Sequence, residues 1–381
     1  MCGITGYIGP RDGLKIAFDN LRKLEYRGYD SGGVFYFDEN KGAKRGVMVK
    51  RSGKLDVLAA VIEGKSALPK TAAIAHTRWA THGVPNVANA HPHCDCKEEI
   101  FLAHNGIIEN YRELKDGLQK KNHQFSSDTD TEVIAHVIEE ELAKAKTFGI
   151  AFQKSLRRIR GAYALAVVYT KEPEHIYFAR LGSPLVLGIG DEEYFLASDP
   201  TALAGLVKKV MYVEEGAYGK IGMDGLKIST KKQNIVPLEI DVQKIQKGNF
   251  PHFMLKEIFE CGEIMHAATR GRLDAKKGTV RLGGLLPVRD RLKVIKRFEI
   301  ISCGTSYNAA LVGKRLFEEY LGVPVTAWLA SEYRYAKTPI EEDVASIFIS
   351  QSGETADTLA ALRKSKKQGY VTLGIVNVVG S

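Results

Sequence analysis

The spacing of apolar residues changes near residue 250, and this change constrains the fold of the 381-residue chain more than any other feature. Before it, short β-rich runs such as 3–8 and 163–169 are separated by Gly, Asp or Pro turns, and helical periodicity occurs at 13–24 and 131–142. After it, strands alternate with helices, as in strand 298–302 and helix 307–321. The first pattern predicts stacked sheets flanked by helices, an α+β architecture. The second predicts βαβ units around a parallel sheet, an α/β architecture.

The length predicts two domains, because a domain typically has about 100–200 residues. We predict a first domain over 1–225, a linker over 226–250 that contains Pro237, and a second domain over 251–381. The sequence ends directly after a predicted strand, where a parallel sheet would ordinarily continue. The second domain is therefore expected to be partial.

Charge and cysteine content exclude several classes of partner. The 54 Lys+Arg and 45 Asp+Glu are interspersed, and neither a basic stripe nor an aromatic platform predicts nucleic-acid binding. No apolar run approaches the ~20 residues of a membrane helix, and the N-terminus does not resemble a signal peptide. Five scattered cysteines argue against a disulfide framework and for a reducing compartment. We expect a cytoplasmic protein that binds neither nucleic acid nor membrane.

Cys2 is a candidate nucleophile because of its position. If the initiator Met is removed, its thiol lies beside a free α-amine, a group whose ordinary pKa is about 7.7–8.0. One residue would then supply both a nucleophile and a general base. The alternative is an incidental or buried cysteine, which position alone favours.

Three polar motifs offer the groups needed to hold and hydrolyse an amino-acid amide. Arg78 comes after the apolar strand 72–76, and its guanidinium suits bidentate capture of an α-carboxylate. Asn105 and Gly106 come after another strand and can form an oxyanion hole. Asp130 precedes a predicted helix and offers a carboxylate to an α-ammonium group. Taken singly, each motif has another interpretation. Arg78 could form a surface ion pair, Asn105-Gly106 a hairpin turn and Asp130 a helix N-cap.

In this order along the chain, the motifs resemble the class II glutamine amidotransferases. The matching strings are MCGITGYIG at 1–9, LEYRGYDS at 24–31, HTRWATHG at 76–83, HNG at 104–106 and TDTE at 129–132. Within that class the sequence is similar to the glutamine–fructose-6-phosphate aminotransferase family. The resemblance implies an N-terminal-nucleophile hydrolase fold, with two antiparallel sheets between helix layers.

The same resemblance implies a set of site residues. Cys2 would be the nucleophile, with Asn105 and Gly106 as the oxyanion hole. The glutamine-binding side chains would be Arg27, Arg78, Trp79, Thr81, His82 and Asp130. Within that set Trp79 would gate the route of ammonia, and Arg27 would support the N-terminus. No cofactor or metal is implied.

The string HPHCDC at 91–96 raises a second chemistry, because His and Cys so close together can ligate zinc. Closed zinc sites usually combine two pairs of ligands, with two to four residues inside a Cys pair. Cys94 and Cys96 have one residue between them and no evident second pair. The spacing therefore favours a loop near the glutamine pocket over a metal site.

Two Ser/Thr-rich turns, 302–307 and 350–355, each come after an apolar strand and begin a helix. Hydroxyls and backbone N–H groups at such turns bind phosphate, and ligands bind at the carboxyl ends of parallel strands. The alternative is helix capping by Ser and Thr. Two such turns on neighbouring strands favour the phosphate site.

These turns resemble the sugar isomerase (SIS) domain of the same family. The resemblance implies that a sugar phosphate contacts Cys303, Gly304, Thr305, Ser306, Ser350, Gln351, Ser352 and Thr355, and that the chain forms a homodimer through this domain. The sequence departs from the family at 260–262, where Glu-Cys-Gly replaces the usual Glu-Gln-Pro. The family has a second SIS half with an isomerase Glu and His and a Schiff-base Lys, none of which can be assigned here.

We therefore expect an enzyme that uses L-glutamine and fructose 6-phosphate as substrates. Cys2 would release ammonia, and the full enzyme would make glucosamine 6-phosphate and glutamate, the first step of hexosamine synthesis. Two alternatives stay open. Another class II amidotransferase would need a different module after residue 250, and a non-catalytic sugar-phosphate sensor would lack glutaminase activity.

Overall fold

The computed structural model describes residues 2–25, 28, 30–40, 43–79, 83–230, 234–238, 250–274, 276–353 and 355–377. The chain divides into two compact units, Met1–Gln246 and Lys247–Ser381. All five cysteines are unpaired thiols. Among the described residues, no helix combines the length and apolar character needed to cross a lipid bilayer.

The first unit contains fourteen described strands and five described α-helices. The strands are β1 (Gly3–Ile8), β2 (Ser31–Asn40), β3 (Ala43–Ser52), β4 (Ala73–Arg78), β5 (His93–Cys94), β6 (Ile100–Ile108), β7 (Gly161–Tyr169), β8 (His175–Leu181), β9 (Val186–Ile189), β10 (Tyr194–Ala197), β11 (Lys209–Tyr212), β12 (Tyr218–Gly222), β13 (Gly225–Ile228) and β14 (Ile235–Pro237). The helices are α1 (Gly13–Arg22), α2 (Leu55–Ile62), α3 (Tyr111–Gln119), α4 (Glu132–Leu142) and α5 (Phe148–Leu156), with a 3-10 turn at Pro200–Leu203.

These strands form two antiparallel sheets. One has the order β14-β11-β9-β10-β1-β4-β2-β3, and the other has the order β13-β12-β8-β7-β6-β5. A shared apolar core that includes Ile4, Phe35, Phe101 and Phe178 lies between them. Because both faces of β1 are covered, all six of its residues are buried, which explains its unbroken apolar run.

Helices cover the outer face of each sheet. Leu14 and Phe18 of α1 pack with Leu58 of α2 on the first sheet. On the second sheet, Val133 of α4 and Phe152 of α5 join one buried cluster. The order is therefore helix, sheet, sheet, helix, which agrees with the predicted α+β sandwich.

Local capping explains where α1 begins. Asp12 Oδ1 accepts hydrogen bonds from the backbone N–H groups of Leu14 at 3.1 Å and Lys15 at 3.3 Å, so the first turn is closed by a carboxylate. The helix then presents its apolar side to β1 and β4. This packing fixes one side of the strand that follows Cys2.

The second unit contains an α/β sheet. Its strands are β15 (Leu273–Asp274), β16 (Thr279–Val280), β17 (Arg297–Ser302), β18 (Val325–Leu329), β19 (Val344–Ser350) and β20 (Val371–Val376). Its helices are α6 (Phe253–Thr269), α7 (Arg289–Leu292), α8 (Thr305–Leu321), α9 (Ala330–Tyr333) and α10 (Ala356–Lys367), with a 3-10 segment at Gly283–Val288.

Four of these strands form a parallel sheet in the order β18-β17-β19-β20. Ile300 packs with Ala310 of α8 on one face, while Ile301 packs with Ala330 of α9 and Ala361 of α10 on the other. Helices thus cover both faces, as a parallel sheet requires. The sheet ends at β20, whose residue Ile375 is 60% exposed.

The segment predicted as a linker, 226–250, contributes to the first unit. Most of β13 and all of β14 lie in it, and β14 pairs with β11 through Val236 and Val210. Residues 239–249 lie outside the described residues.

Candidate active site

Strand pairing brings Cys2 to the end of β4. In the antiparallel pair of β1 and β4, Gly3 lies opposite Thr77 and Ile4 lies opposite His76. Cys2 comes one residue before Gly3, so it lies beside the segment that leaves β4. Its position is therefore fixed by a long-range register rather than by its neighbours in sequence.

The Cys2 thiol is held by the backbone of Trp79. The Trp79 N–H donates to Cys2 Sγ at 3.2 Å, and the thiol points at the Trp79 carbonyl oxygen at 3.6 Å. Burial raises the pKa of the Cys2 thiol, and the Trp79 N–H only partly offsets that rise. At neutral pH the sulfur is therefore protonated, and it needs a base before it can act as a nucleophile.

Asn105 and Gly106 do not follow β6 but lie inside it, opposite Ala164 and Tyr163 of β7. The alternative reading of Asn105-Gly106 as a hairpin turn is wrong, since the strand continues to Ile108. The Asn105 side chain reaches Cys2, because its Nδ2 donates to the Cys2 carbonyl oxygen at 2.9 Å.

Gly106 has a backbone conformation that other residues rarely adopt. Its φ is +140°, and a Cβ added there would lie 1.9 Å from the carbonyl oxygen of Ala162. Only glycine fits at this point of the strand pair. The residue is exposed, so its N–H group is available on the same strand that carries Asn105.

A buried histidine fixes the orientation of Asn105. His76 Nε2 lies 3.0 Å from Asn105 Oδ1, and an amide oxygen can only accept, so the proton must be on Nε2. This bond assigns the carboxamide orientation with Nδ2 toward Cys2. His76 is part of β4. It is the first residue of the string HTRWATHG, and its contact with Asn105 was not predicted from the sequence.

Two more histidines extend this network behind Asn105. His91 Nδ1 lies 3.1 and 3.0 Å from the two nitrogens of His76, and the rings are at 89°. Nearly equal distances to both nitrogens place His91 Nδ1 over the face of the His76 ring. His91 Nε2 and His104 Nδ1 both contact Thr131 Oγ1, at 3.0 and 2.9 Å.

Burial keeps these histidines neutral. It lowers the pKa of His76 to about 3, because the charged ring would lose its hydration. Burial also lowers the pKa of His91, His93 and His104. A neutral ring carries one proton, so each of these side chains can donate at one nitrogen and accept at the other.

Arg78 is buried, with 3% exposure, at the end of β4. Its guanidinium donates to the carbonyl oxygens of Gly83 at 3.2 Å and Val84 at 3.4 Å. It therefore fastens the loop that follows β4, and the surface ion pair offered as its alternative is wrong. Sequence reasoning predicted the guanidinium but not its backbone partners.

Asp130 is also buried, and its Oδ2 accepts a hydrogen bond from the Ile108 N–H at 2.7 Å. Helix α4 begins at Glu132 with Thr131 as its N-cap residue, and no side chain caps it. The alternative of Asp130 as a helix cap is therefore wrong. The carboxylate instead fastens α4 to the strand that carries Asn105 and Gly106.

Glu132 fixes the segment that leads into Asp130. Its two carboxylate oxygens accept from the backbone N–H groups of Ser126 and Ser127 and from both hydroxyls, at 2.6 to 2.8 Å. Burial would raise the pKa of Glu132, but His136 and the bonds from Ser126 and Ser127 stabilise the charged form and lower that pKa to about 2. No role for Glu132 was predicted from the sequence.

The remaining predicted glutamine-binding residues are only partly described. The Trp79 side chain is 48% exposed beside Cys2. Arg27, Thr81 and His82 lie outside the described residues. The described part of the site brings together Cys2, Arg78, Trp79, Asn105, Gly106 and Asp130 through the network above.

In the second unit, the two Ser/Thr-rich turns lie at the same edge of the parallel sheet. Ser302 at the end of β17 is in register with Ile349 of β19, and the strands run in the same direction. Cys303, Gly304, Thr305 and Ser306 follow the first strand. Ser350, Gln351, Ser352 and Thr355 follow the second.

The helices after these turns are not capped by side chains. Gly304 is the N-cap of α8 and Thr355 is the N-cap of α10, and neither helix has a side-chain capping bond. Ser350 Oγ instead accepts from the Gly353 N–H at 3.0 Å and lies 3.4 Å from Thr355 Oγ1. The capping alternative is wrong, and the first-turn N–H groups still point toward the sheet edge.

Comparison with known proteins identifies two families. Residues 64–256 match the glutamine amidotransferase domain, and residues 292–381 match the SIS domain. The glutamine–fructose-6-phosphate aminotransferases (isomerizing) of Chlorobaculum tepidum and Pyrococcus horikoshii are each 44% identical to the chain. Each alignment covers all of this chain but only 63% and 62% of those relatives, respectively. The chain thus spans about three fifths of their length.

Two solved structures share the fold. The glutamine phosphoribosylpyrophosphate amidotransferase of B. subtilis has a TM-score of 0.53 and 18% identity, over 99% of this chain and 91% of that one. An allosteric regulatory enzyme of purine biosynthesis has a TM-score of 0.52 and 20% identity, over 99% and 80%. With the antiparallel sandwich and the parallel sheet, these findings confirm the predicted fold class.

Proposed function

The chain belongs to the glutamine amidotransferase family, and on that premise we propose that it hydrolyses L-glutamine with Cys2 as the nucleophile. One observation carries the proposal. The Cys2 thiol accepts a hydrogen bond from the Trp79 N–H, while the Cys2 carbonyl accepts one from Asn105 Nδ2. The Cys2 thiol would be the nucleophile and the Asn105 amide the nearby hydrogen-bond donor. An acyl-transfer site needs both of these groups.

The first step needs a base, because burial raises the pKa of the Cys2 thiol. The α-amine of Cys2, free once Met1 is removed, takes the thiol proton. The sulfur then attacks the side-chain carbonyl carbon of glutamine. The negative charge on the carbonyl oxygen is stabilised by Asn105 Nδ2 and the Gly106 N–H.

The tetrahedral intermediate collapses by breaking the carbon–nitrogen bond. The amide nitrogen takes the proton from the α-ammonium group and leaves as ammonia, so a γ-glutamyl thioester remains on Cys2. Water, deprotonated by the same amine, attacks the thioester and releases glutamate. The thiol regains its proton, and the site is ready for another glutamine.

Charge and burial support the assignment of the glutamine clamps. Arg78 supplies a buried positive charge for the α-carboxylate, and Asp130 supplies a buried negative charge for the α-ammonium group. Their backbone partners, Gly83, Val84 and Ile108, hold the two charges in place. Trp79, with Arg27, Thr81 and His82, completes the proposed pocket.

We further propose that the longer protein delivers the ammonia to fructose 6-phosphate and makes glucosamine 6-phosphate. The relatives' names support this, and so do the uncapped helix starts after β17 and β19, which suit a phosphate. Delivery inside the protein matters because ammonia is mostly protonated near neutral pH. A sugar-phosphate sensor is the alternative, and it would release no glutamate.

Glutamate release from glutamine tests the first proposal. We expect steady turnover by the chain and a loss of at least ~10³-fold in Cys2→Ala, because the nucleophile is gone. Cys261→Ala is the matched control, since that exposed thiol on α6 lies outside every proposed site and should keep the parent rate. Equal rates for the parent chain and Cys2→Ala would overturn the assignment.

Binding of fructose 6-phosphate tests the second proposal separately. A ligand that binds the folded state raises Tm. We expect a smaller rise in Ser350→Ala, which loses the bond to the Gly353 N–H, and a parent-like rise in the exposed control Ser66→Ala. Equal rises in all three proteins would contradict the proposed phosphate contacts.

We also infer a cytoplasmic homodimer formed through the SIS part. Five unpaired thiols support a reducing compartment. Exposed apolar residues on α8, among them Val312 and Tyr320, support an interface with a second copy. Sedimentation of the chain and of Val312→Glu checks the dimer, which the added charge should weaken.

A further inference from the structure

Four side chains behind the candidate pocket converge on one point, although the sequence separates them by up to 43 residues. They are Cys96, His123, His136 and Glu139. One potential ligand atom from each lies within 4.8 Å of the other three. Sulfur, two imidazole nitrogens and a carboxylate oxygen are all groups that bind zinc.

Four of the six separations between these atoms are close to those of a tetrahedral site. Cys96 Sγ lies 3.7 Å from His123 Nδ1 and 3.5 Å from His136 Nδ1. Glu139 Oε2 lies 3.0 Å from His123 Nδ1 and 3.4 Å from His136 Nδ1. With Zn–S of about 2.3 Å and Zn–N or Zn–O of about 2.0–2.2 Å, a tetrahedron gives about 3.6 and 3.3 Å.

Three different elements supply the four groups. Cys96 follows the short strand β5, and His123 follows the end of α3. His136 and Glu139 are three residues apart on α4, so they lie on the same side of that helix. Cys96 is exposed and His136 is 1% exposed, so the cluster extends from the surface to the helix interface.

The groups around the cluster suit bound metal. His136 Nε2 is buried and has no hydrogen-bond partner among the described residues, while Glu132 Oε1 lies 3.7 Å from it. A metal-bound histidine commonly directs its second nitrogen to a carboxylate. On the other side, the Gln124 N–H donates to Cys96 Sγ at 3.4 Å, which would stabilise a thiolate.

We propose that Cys96, His123, His136 and Glu139 bind one Zn²⁺ ion. The charges balance, because a thiolate and a carboxylate neutralise the ion and both histidines bind as neutral rings. The Cys96 thiol gives its proton to solvent when the metal binds. Thiolate and imidazole favour zinc over Mg²⁺ or Ca²⁺, which prefer oxygen ligands.

The second ligand pair that the string HPHCDC lacks is therefore supplied across the fold. Cys94, the other cysteine of that string, is not among the four ligands. The proposed partners of Cys96 come from α4 and from the segment before it. Sequence spacing alone could not connect them.

The site is structural, because four protein ligands leave no open position for a substrate. It fastens the segment after β5 and the segment after α3 to α4. Through His136 the metal also reaches Glu132, whose carboxylate holds Ser126 and Ser127 just before Asp130. Zinc thus braces the helix start that carries a proposed glutamine clamp, without taking part in the reaction.

Metal content is the direct test. The purified chain is equilibrated with Zn²⁺ and passed through a desalting column. Bound zinc is then measured by elemental mass spectrometry. We expect about one zinc per chain, and less than about 0.1 in Cys96→Ser and in His123→Gln. Cys261→Ser is the matched control, because Cys261 is an exposed thiol on α6 and should leave the stoichiometry at about one.

Thermal unfolding gives a second readout. Removing the metal with EDTA should lower Tm of the parent chain and of Cys261→Ser by about 5–10 °C, since a tightly bound ligand stabilises the folded state. The same treatment should leave Tm of Cys96→Ser unchanged. If that variant does not fold, the conservative Glu139→Gln replaces it, with an expected zinc affinity at least ~10-fold lower.

Cobalt substitution tests the geometry. A thiolate-bound, four-coordinate Co²⁺ should give visible absorption in the parent chain, and Cys96→Ser should lose it. The proposal is overturned if the folded parent chain retains less than about 0.2 zinc. It is also overturned if zinc content is equal in Cys96→Ser, or if Mg²⁺ or Ca²⁺ displaces zinc at equal concentration.

Discussion

The backbone N–H of Trp79 donates a hydrogen bond to Cys2 Sγ at 3.2 Å. This contact joins the residue before β1 to the residue after β4, and the pairing of those strands makes it. The donor to the proposed nucleophile is therefore a main-chain group, whose position is fixed by strand pairing. The proposed oxyanion donor, Asn105, is in turn positioned by His76.

Asn105→Ala should lower kcat for glutamine hydrolysis by about 10²–10³-fold, because one donor to the developing oxyanion is lost. KM should change much less, since the ground-state carbonyl needs that donor less. Steady-state glutamate release at several glutamine concentrations separates the two constants. Asn308→Ala, on an exposed position of α8, is the control and should match the parent chain. An effect on KM alone, with kcat unchanged, would contradict the assigned role.

Gly106→Ala should both inactivate the site and destabilise the unit. The new Cβ would lie 1.9 Å from the Ala162 carbonyl oxygen, at a φ of +140°, so β6 and β7 must separate there. We expect a loss of about 1–3 kcal/mol in the free energy of unfolding. Gly117→Ala is the matched control, because nothing lies within 4 Å of its added Cβ in helix α3. That change should stabilise slightly, by up to ~1 kcal/mol, and a parent-like Gly106→Ala would refute the backbone argument.

Asp130→Asn should raise KM for glutamine about 10–100-fold while leaving Tm close to the parent value. The amide oxygen can still accept from the Ile108 N–H, so the structural bond is kept. The negative charge proposed for the α-ammonium group is lost, which is worth about 1.5–3 kcal/mol. Asp116→Asn, exposed on α3, is the control for charge alone. A large drop in Tm with an unchanged KM would assign Asp130 a purely structural role.

Acid should destabilise the first unit through its buried histidines. Burial lowers the pKa of His76 to about 3 in the folded chain, against about 6.5 when unfolded, so the unfolded chain binds more protons between those values. The stability that neutral His76 contributes is complete above pH ~6.5 and is lost as the pH falls toward 3. The expected slope is about 1.4 kcal/mol per pH unit for each such histidine.

Denaturant unfolding between pH 7.5 and 5 measures this slope. His76→Gln should show a shallower dependence on pH than the parent chain, because one titrating group is removed. The exposed residue His266 offers the control, and His266→Gln should keep the parent slope. Identical slopes in all three proteins would mean that His76 does not titrate as its burial requires.

Much of the fold was predictable because burial leaves a local signature. The predicted strand 3–8 matches Gly3–Ile8, where all six residues are buried. Predicted helix 131–142 matches Glu132–Leu142, whose first seven residues are buried against the second sheet. By contrast, β3 and α3 were not predicted, because their exposed residues interrupt the apolar pattern.

The sequence predicted which residue types form the candidate site, but it did not predict the contacts between them. Arg78 was predicted as a charge, yet its bonds to Gly83 and Val84 depend on how the loop turns back. The contact between His76 and Asn105 depends on two strands from different sheets facing each other. Cys96 and His136 are 40 residues apart, and only the packing of α4 brings them together. Long-range register decides these contacts, and local sequence does not encode it.

The most direct measurement of the central claim is the identity of the acylated residue during turnover. The chain is mixed with glutamine, quenched in acid within the first turnovers, digested and analysed by mass spectrometry. The account predicts a γ-glutamyl thioester on a peptide whose first residue is Cys2, with a free α-amine and no Met1. Glutamate formation with the adduct on another residue, or with Met1 still attached to the active chain, would contradict it.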